Sequence, residues 1–355
     1  MIPAALLTRS DGGKVVAPTV VVQLVTWNGE QWLPRLLKSL ECQTYLHLEY
    51  YVLDNGSQDR TVEIVKSWLN RHPGELILQP KNTGFAAAHN TLLRVQHAPF
   101  ILILNQDTIL TPAYVTALVQ AMADHPEAGS STGRLRRMSS IQDEVELDSE
   151  GLTIYKTHRV VETHAGQTFV PEDKQPRATF GVPATAALYR RSALEATALS
   201  YRQPIEYFDE LFFSYKEDVD LAYRLQLAGF SSLVVPLAEA HHYRTLKPES
   251  RTRHALGTLQ TVLHYAQKTK TQQKLSYRNH LYFLLGTVSA PLCSWRWWAT
   301  VSYECGKLAV ILIKHPAVLS VWADVSSSWS RLREKRSWIQ HLVHHPERVV
   351  EWMVW

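Results

Sequence analysis

The sequence predicts an open α/β sheet with helices on its faces, and three observations predict it. Short, uninterrupted apolar runs, such as residues 100–104, read as strands buried on both sides. These runs alternate with segments whose apolar residues recur at helical spacing. Two of the runs end abruptly in a carboxylate, Asp54 and Asp107. In such sheets, ligands bind at the carboxyl ends of the strands.

Residues 19–25 form the first predicted strand, turned by Asn28 and Gly29. Leu33, Leu36, Leu37 and Leu40 then follow the i, i+3, i+4, i+7 pattern of a helix with one core face. Residues 50–53 form a second strand ending at Asp54, and Asn55-Gly56-Ser57 is a tight turn by composition. Residues 61–69 read as a helix and 76–78 as a short third strand. A loop over 81–85 leads into a small-residue helix at 86–90, and the fourth strand runs to Asp107. Thr111 and Pro112 look like a helix start. A lone carboxylate at a strand end suits a hard divalent cation that bridges to phosphate oxygens. A turn Asp bonded to its own backbone is the plainer account of Asp107 taken alone.

Residues 128–179 are polar and aperiodic and read as a loop-rich insertion with some strand. Residues 180–190 resume as a strand, with a short helix after Arg190 and Arg191. A helix then opens at Glu217, with Leu221, Ala222, Leu225 and Ala228 on its buried face and Gly229 at its end. Glu217, Asp218 and Asp220 complement the dipole of its first turn. Three acids within four residues, behind Phe212-Phe213-Ser-Tyr215, exceed that need. Close like charges raise at least one pKa, as a base working near neutrality requires. Residues 231–235 form another strand, with His241 and His242 just beyond it.

The chain has 355 residues, 45% hydrophobic and 20% charged, enough for a large domain plus an appendage. Its net charge of +4 hides an asymmetry. Residues 244–355 carry 16 Lys and Arg against 6 Asp and Glu, and eight of the 11 Trp. Three cysteines without CxxC spacing fit a reducing compartment better than a disulfide framework. The first 18 residues include Arg9, Asp11 and Lys14 and no long apolar core, so no signal peptide is predicted. The longest uncharged run of the tail, 281–295, is 15 residues long and interrupted by Gly and Pro, too short for a spanning helix of roughly 20 residues. Neither GxGxxG nor GxxxxGK[ST] occurs, which disfavours dinucleotide and P-loop chemistry.

Taken together, these motifs resemble family 2 glycosyltransferases of GT-A fold, in particular the rhamnosyltransferase and galactofuranosyltransferase-like branch. The residues that carry the resemblance are Thr26-Trp-Asn-Gly29, Leu53-Asp-Asn-Gly-Ser57, Asn82-Thr-Gly-Phe85 with His89-Asn90, and Leu104-Asn-Gln-Asp107. They continue with Ala186-Ala-Leu-Tyr-Arg-Arg191, Glu217-Asp-Val-Asp-Leu221 with Arg224, Ala228-Gly-Phe230, His242 and Arg278-Asn279. The resemblance covers residues 18–285 and implies a Rossmann-like nucleotide-binding sheet continuous with an acceptor-binding half. It implies that Asp54 contacts the base with Thr26 and Asn28 nearby, and that Asn82, Gly84 and Asn90 line the base and ribose pocket. Asp107 would hold Mg²⁺ or Mn²⁺ on the diphosphate, with His242 favoured over His241 as second ligand. Asp218 would be the general base, and Glu217 would hold acceptor or base in place. Asn105 stands where a strict Asp-x-Asp has its first acid, which puts ribose contact by Asn105 in doubt.

The implied organisation is an N-terminal arm over 1–17, a glycosyltransferase domain over 18–270 and a basic, Trp-rich helical region over 271–355. In that region Arg296, Thr300, Glu304, Lys307 and Lys314 make one narrow polar stripe of a helix, with Trp297, Trp298, Val301, Cys305, Leu308 and Leu312 on other sides. Packing on the domain and lying in a membrane interface both fit that pattern; the Trp enrichment favours the interface. Arg331, Arg333, Lys335 and Arg336 add a cluster suited to anionic lipid. No nucleic-acid-binding motif is present. The resulting expectation is an inverting, metal-dependent transferase on the cytoplasmic face of the membrane. It would move rhamnose or a similar sugar from a nucleotide-diphosphate sugar to a polyprenyl-linked or polysaccharide acceptor. A nucleotidyltransferase would call for a Gly-rich basic loop near the first strand, which residues 26–30 are not. A scaffold that binds nucleotide sugar without turnover has only Asn105 in its favour.

Overall fold

The computed structural model describes residues 8–9, 15–138, 143–168, 174–243, 269–289 and 297–354, and among them a ten-stranded mixed sheet forms the frame. A two-residue pair, β1 (Thr8–Arg9) and β2 (Val15–Val16), lies outside it. The first half alternates as the sequence predicts. Its elements are β3 (Val20–Thr26), α1 (Leu33–Glu41), β4 (Leu48–Asp54), α2 (Thr61–Leu69), β5 (Gly74–Leu78), α3 (Phe85–Val95) and β6 (Phe100–Asn105). The strands pair in parallel in the order β5-β4-β3-β6. The apolar run of β6 is buried on both sides because its residues alternate between two cores. Leu102 and Leu104 pack with Leu33, Leu36 and Leu40 of α1, while Ile101 and Ile103 pack with Ala86 and Leu93 of α3. Truncating any of these Leu or Ile side chains to Ala would cost about 2–5 kcal/mol.

The second half departs from the sequence reading. It comprises β7 (Thr108–Leu110), α4 (Tyr114–Asp124), β8 (Ala128–Met138), β9 (Asp143–Ser149), β10 (Leu152–Ile154), β11 (Val160–Glu162), β12 (Arg177–Thr179), β13 (Ala186–Arg190), α5 (Arg191–Ala196), α6 (Glu217–Leu227) and β14 (Ser231–Tyr243). The sheet continues β6-β13-β8-β14-β12, with β13 antiparallel to both neighbours. Residues 128–179, read as a loop-rich insertion, thus supply β8, an inner strand of 11 residues, and four shorter strands. The polar composition concealed β8 because two of its small hydroxyl residues, Ser130 and Thr132, are bonded inside the core. Ser130 Oγ donates to Ser232 Oγ at 2.9 Å, and Thr132 Oγ1 donates to the Ala186 carbonyl at 3.0 Å. β14 is also longer than predicted and carries His241 and His242 within it.

The C-terminal region is helical: α7 (Lys270–Tyr282) running into a π-helical turn (Phe283–Thr287), then α8 (Trp297–Lys314), α9 (Val321–Ser327), α10 (Trp329–Leu342) and α11 (Pro346–Trp352). Its apolar residues share one core with the second half. Tyr277, Phe283, Leu332 and Ile339 pack in the cluster that holds Phe180, Phe212, Tyr223 and Leu227. The reading of Arg331, Arg333, Lys335 and Arg336 as a lipid-facing cluster is corrected for three of the four. Arg331 and Lys335 turn inward onto Glu206, Asp209 and Asp220, and Arg336 donates to the Leu285 and Val288 carbonyls. Buried carboxylates in the facing segments draw Arg331 and Lys335 in.

α8 is inverted relative to a helix on a water-soluble protein. Its polar stripe faces the protein: Thr300 is 1% exposed and bonded to His158 Nδ1 at 2.8 Å, and Glu304 accepts from His280 Nε2 at 2.8 Å. Lys307 Nζ lies 4.9 Å from the centre of the Tyr277 ring. Trp297 and Ile311 are buried in the core, but much of the apolar side faces outward, with Trp298 72% and Ile313 81% exposed and Val301 and Leu312 also open. Arg296 lies outside the described residues, and so does the side chain of Lys314. Among the described residues no single helix is long and apolar enough to cross a membrane.

Candidate functional site

The carboxyl ends of β3, β4 and β6 are level, because Thr26 is in register with Asp54 and Val25 with Asn105. Asp54 is buried and accepts three hydrogen bonds: from Thr26 Oγ1 at 3.1 Å, Ser57 N at 2.9 Å and Ser57 Oγ at 2.5 Å. It therefore fixes the turn after β4. Asn28, in the left-handed region at φ 47°, ties the neighbouring loop to that turn through Ser57 Oγ and Gln58 N, both at 2.8 Å. Gln106 clamps Trp27 from the other side, accepting from its N at 2.9 Å and donating to its O at 3.0 Å. The indole of Trp27 stays open at the sheet edge.

Asn82 accepts from Asn55 Nδ2 at 3.1 Å and from Gly84 N at 2.8 Å, which shapes the loop before α3. Gly84 has φ +87°, and a Cβ there would meet the Phe213 carbonyl oxygen at 2.5 Å. Glycine is required at that point because the segment leading to the acid pair packs against it. The placement of Asn90 in the pocket is corrected. Its amide is fully buried and all of its bonding capacity is used. Its Oδ1 accepts from Tyr207 N and Phe208 N, and its Nδ2 donates to the Phe208 carbonyl and Glu210 Oε1. Asn90 braces the 207–210 segment.

Asp107 and His242 meet because β7 pairs antiparallel with β14, setting His242 opposite Thr108. His242 Nε2 lies 3.4 Å from Asp107 Oδ1, and Nδ1 lies 2.8 Å from Asp148 Oδ2. Strand alternation turns His242 toward Asp107 and His241 to the other face. Burial pulls the imidazole pKa down, but Asp107 and Asp148 outweigh it and push it up to about 10. This donor set fits a divalent cation. Asp148 fixes the Nδ1 proton, a metal would take the place of the Nε2 proton, and the set is oxygen and imidazole nitrogen. Among the described residues no group of three or more His, Cys, Asp or Glu gathers around one point that could hold a metal ion. The remaining positions would belong to phosphate and water, as is usual for Mg²⁺. Asp148 escaped the sequence reading because it lies in the polar stretch 94 positions from His242.

The acid pair opens α6 behind a strained turn. Phe213, Tyr215 and Lys216 have φ of 63°, 73° and 71°. Glu217 is buried, and its Oε2 has no hydrogen-bond partner among the described residues. Burial first, and then the Asp218 charge, push its carboxyl up to about 8. Burial also raises the pKa of Asp218, against its bond from Val219 N at 2.8 Å. Its Oδ2 is 3.4 Å from Ala184 N, and the next residue, Thr185, accepts from Asn105 N at 2.8 Å. One loop therefore touches both the end of β6 and the acid pair. Asp220 is a different case: fully buried, it is held by Arg224 at 3.0 Å and Lys335 at 2.6 Å. It has no free oxygen with which to act as a base, which removes it as a substitute for Asp218.

A family model described as "Glycosyl transferase family 2" matches residues 21–197. The putative glycosyltransferase EpsH of Bacillus subtilis is 22% identical over 205 residues, 56% of this chain and 55% of that protein. The chain thus spans about half the length of that relative. The N-acetylglucosaminyl-diphospho-decaprenol L-rhamnosyltransferase of Mycobacterium tuberculosis (strain H37Rv) is 28% identical over 251 residues, 63% of this chain and 75% of that protein. Among solved structures, GalNAc-T7 with UDP, GalNAc and Mn²⁺ superposes with a TM-score of 0.53 at 12% identity, covering 85% of this chain and 57% of that one. That likeness shows the fold, the GT-A arrangement of sheet and helices.

Proposed function

The chain belongs to glycosyl transferase family 2, and from that premise we propose that it transfers a sugar, with inversion, from a nucleotide-diphosphate sugar to a lipid-linked acceptor. The acid pair is the observation that carries this reading. Glu217 is a buried and Asp218 a half-buried carboxyl, both with raised pKa, joined through Ala184 and Thr185 to the strand edge where the donor would lie. Asp218 would take the proton of the acceptor hydroxyl as the new bond forms, because a sugar hydroxyl is a poor nucleophile until a base does so. Glu217 would keep its proton at neutral pH and donate a hydrogen bond that orients the acceptor. Thr26, Asn28, Asp54, Asn82 and Gly84 would shape the base and ribose side, and Asn105 the approach to the sugar. Asp107 and His242 would hold Mg²⁺ or Mn²⁺, which when bound neutralises charge on the diphosphate leaving group.

The rhamnosyltransferase relative supports L-rhamnose or a similar sugar as the donor group, and a polyprenyl-diphosphate-linked sugar as acceptor. The inverted α8 supports contact with a lipid surface, the place where such an acceptor would be met. This reading puts the protein on the inner, cytoplasmic face of the cell membrane.

The test incubates full-length protein and Mn²⁺ with nucleoside-diphosphate L-rhamnose and N-acetylglucosaminyl-diphospho-polyprenol. It follows nucleoside-diphosphate release and the anomeric configuration of the product. Transfer with inversion that is lost in Asp218→Asn, with donor binding retained, is the expected result. A product of retained configuration, or an Asp218→Asn variant working at the wild-type rate, would overturn the assignment of the base.

A further inference from the structure

Lys335, on α10, has no part in the chemistry above, yet its ammonium is buried beside the helix that carries the acid pair. Its Nζ donates to Asp209 Oδ2 at 2.7 Å and to Asp220 Oδ1 at 2.6 Å, and lies 5.0 Å from the centre of the Phe212 ring. Asp209 caps the 3₁₀ turn Glu210–Phe212 by accepting from Leu211 N at 2.9 Å. Asp220 belongs to the first turn of α6, two residues after Asp218. Between these anchors lie residues 213–216, three of them in the left-handed region that side-chain-bearing residues rarely adopt. One cation thus grips both ends of the turn that delivers Glu217 and Asp218. The middle of the turn is held from α7: Asn279 Nδ2 lies 2.8 Å from the carbonyls of Phe212, Ser214 and Tyr215.

The arrangement is a costly way to obtain stability alone. Taking an ammonium and two carboxylates out of water carries a large desolvation penalty, and apolar side chains of similar volume often stabilise as well. What a buried ion cluster adds is a single geometry. Burial pushes the Asp209 carboxyl up, but Lys335 and Arg331 hold it below the usual range, so Asp209 stays a carboxylate. Neighbouring Arg331 binds Glu206 at 2.6 Å and Asp209 at 2.5 Å and gives a natural comparison, since among the described residues its carboxylate partners are these two and not Asp220.

We propose that Lys335 is a positioning residue for sugar transfer: by bridging Asp209 and Asp220 it fixes the 213–216 turn and so the placement of Glu217 and Asp218. The catalytic unit then includes the C-terminal helices, well beyond the residues that match the family model. The inference rests on the reading of Asp218 as base.

The test uses full-length protein and compares Lys335→Met, Lys335→Arg and Arg331→Met with wild type. Hydrogen exchange of the amides in residues 213–220 reports on the turn without any substrate. In Lys335→Met those amides should exchange at least about tenfold faster, with β3 and β6 unchanged. Its kcat for nucleoside-diphosphate release should fall by about 10- to 100-fold, as for a displaced catalytic group, while UDP binding with Mn²⁺ stays within about twofold. Lys335→Arg should recover part of both, and Arg331→Met should move neither by more than about threefold. Wild-type exchange over 213–220 in Lys335→Met, or a kcat loss that only follows the folded fraction, overturns the proposal. If Lys335→Met does not fold, Thr287→Val takes its place, because Thr287 Oγ1 donates to the same Asp220 Oδ1. The same direction of change is then expected, and no change overturns the proposal. Asp218→Asn, assayed alongside, separates the two readings. If it turns over normally, the base assignment fails and exchange alone judges Lys335.

Discussion

His242 faces Asp107 across 3.4 Å through Nε2, while Nδ1 is bonded to Asp148. A carboxylate and an imidazole aimed at one point, with the second imidazole nitrogen fixed, is how metal ligands are held. If Asp107 holds the metal, Asp107→Ala should abolish the gain in nucleoside-diphosphate affinity expected from Mn²⁺, while the protein stays folded. Asp148→Asn, which keeps the shape and weakens the hold on Nδ1–H, should cost about 10- to 100-fold in Mn²⁺ affinity. Calorimetry with UDP, with and without Mn²⁺, measures both. An Asp107→Ala variant with an undiminished Mn²⁺ effect would place the metal elsewhere.

Gly84 joins the loop before α3 to the turn before α6. Gly84→Ala should destabilise the protein by more than about 1 kcal/mol, because φ is positive and the new methyl would meet backbone. It should also lower kcat, since the atom in its way is the carbonyl oxygen of Phe213, at the start of the strained turn. Urea unfolding and turnover check the two effects separately. A variant of wild-type stability would show that the two segments are less tightly packed.

The strand edge was legible in the sequence because buried parallel strands leave continuous apolar runs, and both Asp54 and Asp107 stand where such runs stop. The acid pair was legible for a related reason: three acids in one helical turn exceed what the dipole needs. Three features could not be read. β8 is an inner strand rich in Ser, Thr, Gly and Arg, and the hydroxyls of Ser130 and Thr132 are satisfied by partners in β14 and β13. Asn90 belongs to a motif of pocket residues, but whether an amide faces a ligand or a backbone is decided by a segment more than a hundred residues away. Lys335 sits in a charge run, normally a solvated face, and only folding brings Asp209 and Asp220 beneath it.

The outward side of α8 should insert into lipid. Trp298→Glu with Ile313→Glu should abolish flotation with anionic vesicles and leave the melting temperature unchanged, because neither side chain is packed inside the protein. Since apolar insertion survives screening, 1 M salt should weaken binding by the full-length protein only in part. If the wild-type protein does not float with such vesicles at all, the apolar face of α8 serves another partner.

Glu217→Gln separates the two acids by their dependence on pH. The folded-state pKa of Glu217 is raised to about 8 from an ordinary value of 4.5, so the folded protein binds a proton that the unfolded chain releases between those values. The stability this provides is fully present below about pH 4.5 and is lost as pH rises through about 8. Glutamine has no such proton to lose. The variant should therefore gain stability relative to wild type steadily from pH 5 to pH 8, reaching on the order of a few kcal/mol, and show a flatter melting temperature against pH. Turnover should divide the same way. Below about pH 8 Glu217 is neutral in the wild type, so the neutral amide should keep much of the activity. Above that pH the wild type acquires a buried charge beside the half-buried Asp218, and its rate should fall where that of Glu217→Gln holds. In both proteins the acid limb of kcat should lie above the usual aspartate range, because burial raises the pKa of Asp218 itself. Melting curves and pH–rate profiles of the two proteins, measured side by side, decide the matter. A variant whose melting temperature follows pH as steeply as the wild type would mean that Glu217 is ionised in the folded protein at neutral pH.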